Sequence, residues 1–215
     1  MRSLFLLGLG LVLALAGCTA VTPPADDDNA TRVAFYGDSY TLGTGASDPS
    51  LRWSSIICAE RGWQEFNPSV NGLGFVNNRA TDGEGDLPAL VIANDPGIVF
   101  ITMGLNDNFS YDRAANQIRL RITEDFTRLA TALPDARFIV VEPFWYTDRR
   151  PESVEVIIGW VRDAAAAIGA DYIPGASHWI EGHPEWMASD GLHPNDAGYA
   201  AMAARMDAEL TKLGL

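Results

Sequence analysis

The chain has 215 residues and a formal charge of −13, with 28 acidic side chains against 15 basic ones. That length suits one domain with a full core, and 47% apolar with 20% charged residues is a globular balance, not a disordered one. An acidic surface repels phosphate backbones, which argues against nucleic acid as a partner.

In chain order, Arg2 precedes an apolar run from Leu4 to Leu15 that is short for a membrane-spanning helix. The run ends in Leu15-Ala16-Gly17-Cys18. Small residues directly ahead of a cysteine resemble the lipobox of bacterial lipoproteins. That resemblance implies cleavage before Cys18 and lipid on its sulfur. It also implies an extracytoplasmic location, periplasmic or at the cell surface, with the membrane as a partner through the lipid. The alternative is an ordinary secretory signal with an incidental cysteine. Residues 1–17 thus read as a signal peptide. Residues 18–30, polar, acidic and containing Pro23-Pro24, read as a flexible tether. Residues 31–215 are the folded domain. With Cys18 lipidated, Cys58 has no partner in the chain. It lies in an apolar-rich run and reads as a buried, inert thiol.

The domain opens with a β-prone run, Thr31 to Tyr36, ending at Gly37. A helix is expected over 50–61, then a weaker strand over 63–70. Gly97 to Met103 is a near-continuous apolar run ending at Gly104. Ala114 to Leu133 carries Ile118, Ile122, Phe126 and Leu129 near helical spacing and stops at Pro134. Arg137 to Glu142 is another apolar run, stopped by Pro143. Ser153 to Ile168 has Val154, Ile157, Val161 and Ala165 on one helical face. Ala170 to Ile173 is a weak strand. Asn195 to Leu213 has Tyr199, Met202, Met206 and Leu210 at helical spacing, with Asn195 suited to cap it. Continuous apolar strands between helices imply a parallel α/β sheet covered on both faces. Active sites of such sheets lie at the carboxyl ends of the strands.

Four polar blocks fall there. They are Gly37-Asp38-Ser39-Tyr40-Thr41, Asn67-Pro68-Ser69-Val70-Asn71-Gly72-Leu73-Gly74, Gly104-Leu105-Asn106-Asp107, and Asp190-Gly191-Leu192-His193-Pro194 just before the last helix. Serine-based acyl transfer needs a hydroxyl, an imidazole to take its proton, and a carboxylate to fix the imidazole tautomer. It also needs donors for the oxyanion. A serine in a strand-to-helix turn exposes both Oγ and N–H. A glycine lets another backbone N–H approach. An asparagine amide is a neutral donor. Asp190 and His193, three apart in a short loop, can pair and leave the second ring nitrogen facing Ser39.

In this order, the four blocks resemble those of the SGNH (GDSL-like) hydrolases, over essentially all of residues 31–215. The resemblance implies a three-layer α/β/α flavodoxin-like sandwich with a mainly parallel five-stranded sheet. It implies Ser39 as nucleophile, His193 as general base and then acid, and Asp190 orienting His193. It implies an oxyanion hole from Ser39, Gly72 and Asn106, and no cofactor or metal. Gly74 could replace Gly72, and a backbone carbonyl could replace Asp190. The implied activity is hydrolysis of a small-molecule or polysaccharide ester, with acetylated polysaccharide, a short-chain ester and a lysophospholipid all open; the small domain leaves little chain for a lid, which favours short acyl or acetyl groups. The rivals are an O-acyltransferase acting on envelope sugars and a silent lipid-anchored binding protein.

Blander roles compete for single residues. Ser39 could merely cap a helix, and Asn106-Asp107 could be a turn. Asp107 reads as a structural hydrogen-bonder. His193 with Asp190 lacks further ligands at metal spacing. His178 and His183 read as surface histidines, and Arg149-Arg150 as a solvated pair. Trp145, Tyr146, Trp179 and Trp186 are expected near the rim of the site, as ligand contacts or as core. The Gly-X-Ser-X-Gly elbow, the Gly-X-Gly-X-X-Gly dinucleotide fingerprint and the P-loop are absent from the sequence.

Overall fold

The computed structural model describes residues 30–79 and 86–215. The signal peptide, Cys18 and all but the last residue of the tether lie outside the described residues. Five strands form one sheet: β1 (Arg32–Tyr36), β2 (Gln64–Phe66), β3 (Ile98–Ile101), β4 (Arg137–Val141) and β5 (Asp171–Ile173). Their order is β2-β1-β3-β4-β5 and every pairing is parallel. This is the flavodoxin-like order, whose switch point lies between β1 and β3.

The pleat explains the apolar runs. Val33 and Phe35 point into one core layer, Ala34 and Tyr36 into the other. On the first face lie α2 (Trp53–Arg61) and α6 (Asp196–Lys212), through Trp53, Ile57, Tyr199, Met202 and Met206. On the second lie α3 (Leu87–Asn94), α4 (Tyr111–Ala132) and α5 (Glu152–Ala167), through Val91, Ile118, Ile122, Phe126 and Val161. The Asn195 side chain caps α6, accepting from Gly198 N at 3.1 Å. Among the described residues no helix is long and apolar enough to cross a membrane.

Three details differ from the sequence reading. Helix α3 is not among the expected elements. The weak strand over 63–70 shrinks to three residues, and 67–79 becomes the loop that approaches the end of β1. Helix α4 starts at Tyr111, ahead of the expected Ala114. Ala114 itself has a non-helical φ of −138°, where a 3₁₀ segment (Leu105–Ser110) runs into the helix. Cys58 is buried in the α2–α6 layer, and burial pushes its thiol well above the ordinary range.

Candidate active site

The turn after β1 is built on close contact. A Cβ on Gly37 would lie 2.4 Å from Thr102 Oγ1, so only glycine lets the end of β1 pass the end of β3. Asp38 then caps the short helix α1 (Ser39–Leu42), its Oδ1 accepting from Tyr40 N at 3.0 Å. Ser39 opens that helix, only 4% exposed. Burial pushes the Asp38 carboxyl up to about 7, against the pull of the Tyr40 N–H.

The loop before α6 folds around one carboxylate. Asp190 Oδ1 accepts from the backbone N–H of Leu192 (2.9 Å) and of His193 (3.0 Å). Its Oδ2 lies 2.7 Å from His193 Nδ1. The backbone N–H of His193, its ring and the Leu192 N–H hold the Asp190 carboxyl down to about 2. The His193 side chain is 13% exposed and that of Asp190 48%. With Nδ1 held by Asp190, Nε2 has no partner among the described residues.

The third part lies between the ends of β1 and β3. Asp107 is fully buried and accepts from the backbone N–H of Phe75 (2.7 Å), Val76 (2.8 Å) and Asn77 (3.2 Å). A Cβ on Gly74 would lie 2.6 Å from its Oδ1. The Gly74 N–H donates to Asn77 O at 2.9 Å. The Gly72 N–H, by contrast, has no partner among the described residues. Gly72 has φ +71°, and its carbonyl accepts from the side chains of Asn77 (2.8 Å) and Asn78 (3.1 Å). Asn106 Nδ2 donates to Leu73 O (3.0 Å) and reaches Asp38 Oδ2 (3.4 Å). Asn106 therefore joins the Gly72–Gly74 loop to the Ser39 turn. The His193 loop meets that same turn. The Tyr40 hydroxyl donates to Leu192 O at 2.6 Å, and the Tyr40 and His193 rings lie 6.1 Å apart.

This arrangement has relatives. The model of the GDSL-like Lipase/Acylhydrolase family matches residues 35–201. The chain belongs to that family. Among curated proteins, GDSL lipase Rv0518 of Mycobacterium tuberculosis is 28% identical, over 92% of this chain and 90% of its own length. Among solved structures, the psychrotrophic esterase EstA from Pseudoalteromonas sp. is similar with a TM-score of 0.66. It is 16% identical, with 85% of this chain and 98% of that one covered. Est24, a carbohydrate acetylesterase from Sinorhizobium meliloti, has a TM-score of 0.63 and 14% identity, covering 85% and 99%. The chain is accordingly an ester-hydrolysing enzyme of the GDSL type on a parallel α/β sheet.

Other polar groups take structural places. Arg150 is not part of a solvated pair. It is largely covered, with Nε 2.9 Å from Glu155 Oε1 and a second nitrogen 2.9 Å from His178 Nδ1. Trp145 and Trp179 are buried in the α2–α6 core layer, so of the four aromatics only Tyr146 and Trp186 keep partial exposure. His183 stacks on Trp186 with ring centroids 3.6 Å apart. Among the described residues no three His, Cys, Asp or Glu side chains group as metal ligands. Two contributors escape sequence reading. Tyr40 and Asn77 both act through backbone carbonyls, which leave no signature in the residue order.

Proposed function

We propose that this GDSL-family enzyme cleaves carboxylic esters through an acyl-enzyme on Ser39. One observation carries the reading: Asp190 holds Nδ1 of His193, and the loop bearing that ring bonds to the residue next to Ser39. Ser39 Oγ attacks the acyl carbon while its proton passes to His193 Nε2. Asp190 keeps Nδ1 protonated and stabilises the imidazolium. The carbonyl oxygen becomes an oxyanion, met by the N–H groups of Ser39 and Gly72 and by the Asn106 amide, whose hydrogen on the long 3.4 Å contact to Asp38 Oδ2 must turn to it. Gly72 is preferred to Gly74 because the Gly74 N–H is already spent on Asn77 O. His193 then returns its proton to the leaving alcohol. Water repeats the sequence to free the acid.

The substrate reading is a short acyl or acetyl ester of a small molecule or polysaccharide. The carbohydrate acetylesterase among similar folds supports it. A fluorophosphonate probe is expected to label the wild type and not Ser39→Ala. p-Nitrophenyl esters from acetate to laurate then rank the acyl groups. Faster cleavage of laurate than butyrate overturns the short-acyl reading, and acyl capture by an added alcohol in preference to water moves it to transfer. A folded wild type that takes no probe favours the silent binding protein.

The same proposal places the enzyme outside the cytoplasmic membrane, anchored by lipid on Cys18. Support comes from the register of Arg2, the apolar run and Leu15-Ala16-Gly17-Cys18. Cys18→Ala is expected to abolish incorporation of labelled palmitate and to move the protein out of the detergent phase. Lipid that persists in this variant defeats the assignment.

A further inference from the structure

The Asp190–His193 pair lies on a single surface loop, and half of the Asp190 side chain is in water. The pair can fix the ring relative to the loop, but not the loop relative to Ser39. A general base works only within hydrogen-bond reach of the proton it takes, so something must set that second distance. Among the described residues, four contacts cross from residues 40–47, just after Ser39, to residues 192–199 around His193. Ser47 N and Oγ both donate to Asp196, at 2.7 and 2.6 Å, but at an exposed edge. Tyr199 donates to Thr44 O at 2.7 Å from within α6. Gly45 abuts Pro194, where a Cβ would lie 2.4 Å from the carbonyl oxygen. The fourth joins the two reacting residues' immediate neighbours: Tyr40, directly after Ser39, donates its hydroxyl to the carbonyl of Leu192, directly before His193, at 2.6 Å.

We propose that Tyr40 is the positioning residue of this site, a strut that sets the distance of His193 from Ser39. The proposal rests on the reading of Ser39 and His193 as nucleophile and base. Tyr40 can serve as a strut because packing and hydrogen bonds hold it at backbone, ring and hydroxyl. It is fully buried and stacked on Phe144 with centroids 5.7 Å apart and rings inclined by 18°. Its N–H donates to Asp38, and its carbonyl accepts from Trp53 Nε1 at 3.0 Å. A hydroxyl buried among aromatic rings needs a partner, and Leu192 O is the partner it has. Through that bond the rigid end of β1 fixes the backbone next to the imidazole. The motif that gives the family its name carries leucine at this position, and leucine cannot make the bond. In this chain the strut rests on the tyrosine of Gly37-Asp38-Ser39-Tyr40.

The test is Tyr40→Phe, which deletes the bond and keeps the ring, with Tyr199→Phe as a control that deletes the other hydroxyl–carbonyl bond between the two sides. A displacement of the base by a fraction of an ångström to 1 Å costs turnover, not substrate binding. Tyr40→Phe is expected to lower kcat about 10- to 100-fold with KM within about twofold. Fluorophosphonate labelling should slow by a similar factor. Tyr199→Phe is expected to keep wild-type kcat. Rates are compared at a temperature where circular dichroism finds both variants folded. Wild-type kcat in Tyr40→Phe overturns the proposal. So does an equal loss in Tyr199→Phe, or a loss carried by KM. Ser39→Ala in the same series separates the two layers. If it stays active, the Ser39 reading falls and Tyr40 with it; if it is inactive while Tyr40→Phe is not, only the strut falls.

Discussion

Ser39→Ala and His193→Ala are each expected to reduce kcat by about four to six orders of magnitude, and the double variant by no more than either alone. In the proposed mechanism the nucleophile and its base act as one unit, so once either is gone the other has nothing to do. What remains is the oxyanion hole and binding. Asp190→Asn is the more informative change. In the wild type Oδ1 builds the turn, through Leu192 N and His193 N, while Oδ2 faces His193 Nδ1. Asparagine can keep the turn with its oxygen, but then offers an NH₂ to the ring. Nδ1 must become the acceptor and Nε2 carries the proton, so Nε2 cannot take one from Ser39. The expected loss is about 10²- to 10³-fold, less than for a buried carboxylate, because water reaches the half-exposed Asp190 and can support the imidazolium. Stopped-flow and steady-state rates on one ester measure all four variants. A double variant much slower than the singles would mean that Ser39 and His193 contribute independently, against the proposed mechanism. Asp190→Asn at the wild-type rate would hand the orienting role to a backbone carbonyl.

The strands were legible for a simple reason. A strand covered on both faces must be apolar at every position, and β1, β3 and β4 are buried almost throughout. Parallel strands then carry their chemistry at one edge, so the blocks at Ser39, Asn106 and His193 were readable from their place in the order. Helix α3 was not legible. Leu87–Asn94 is nearly all apolar and contains Pro88, so it shows no 3.6-residue alternation. The rim aromatics stayed open between ligand contact and core for a related reason. Trp145 and Trp179 follow a strand end in sequence, where a loop is expected, yet both fold back under the sheet edge into the core. The deeper gap concerns contacts made through the backbone. Tyr40 and Leu192 are 152 positions apart, and a carbonyl acceptor is the same at every residue. Residue identity singles out the proposed reacting groups, and only the fold brings out the contact proposed to aim them.

Asp107→Ala is expected to destabilise the fold by about 3–5 kcal/mol. The carboxylate is the shared acceptor of three backbone N–H groups, those of Phe75, Val76 and Asn77. Alanine leaves these donors in a space that the close approach of Gly74 has shaped around the carboxylate. Each N–H left unpaired costs about 1–3 kcal/mol, and partial relaxation keeps the sum below three full penalties. Because the same loop carries Gly72, activity should fall with stability. Asp107→Asn keeps the shape but turns one donor toward the N–H groups, so an intermediate loss is expected. The pH dependence separates charge from shape. Burial pushes the Asp107 carboxyl up to about 6, above its ordinary 3.8, against the three N–H groups and Arg79. The folded state therefore binds this proton more tightly than the unfolded state does. Stability from this group falls as pH rises from about 4 to about 6 and levels off above. Asp107→Asn has no such proton, so its melting curve should lack this slope, and its deficit relative to the wild type should shrink across that window. Thermal melts of both proteins between pH 4 and 8 measure it. A constant deficit would mean that the carboxyl titrates in the folded protein where it does in the unfolded chain, and that its place is held by shape alone.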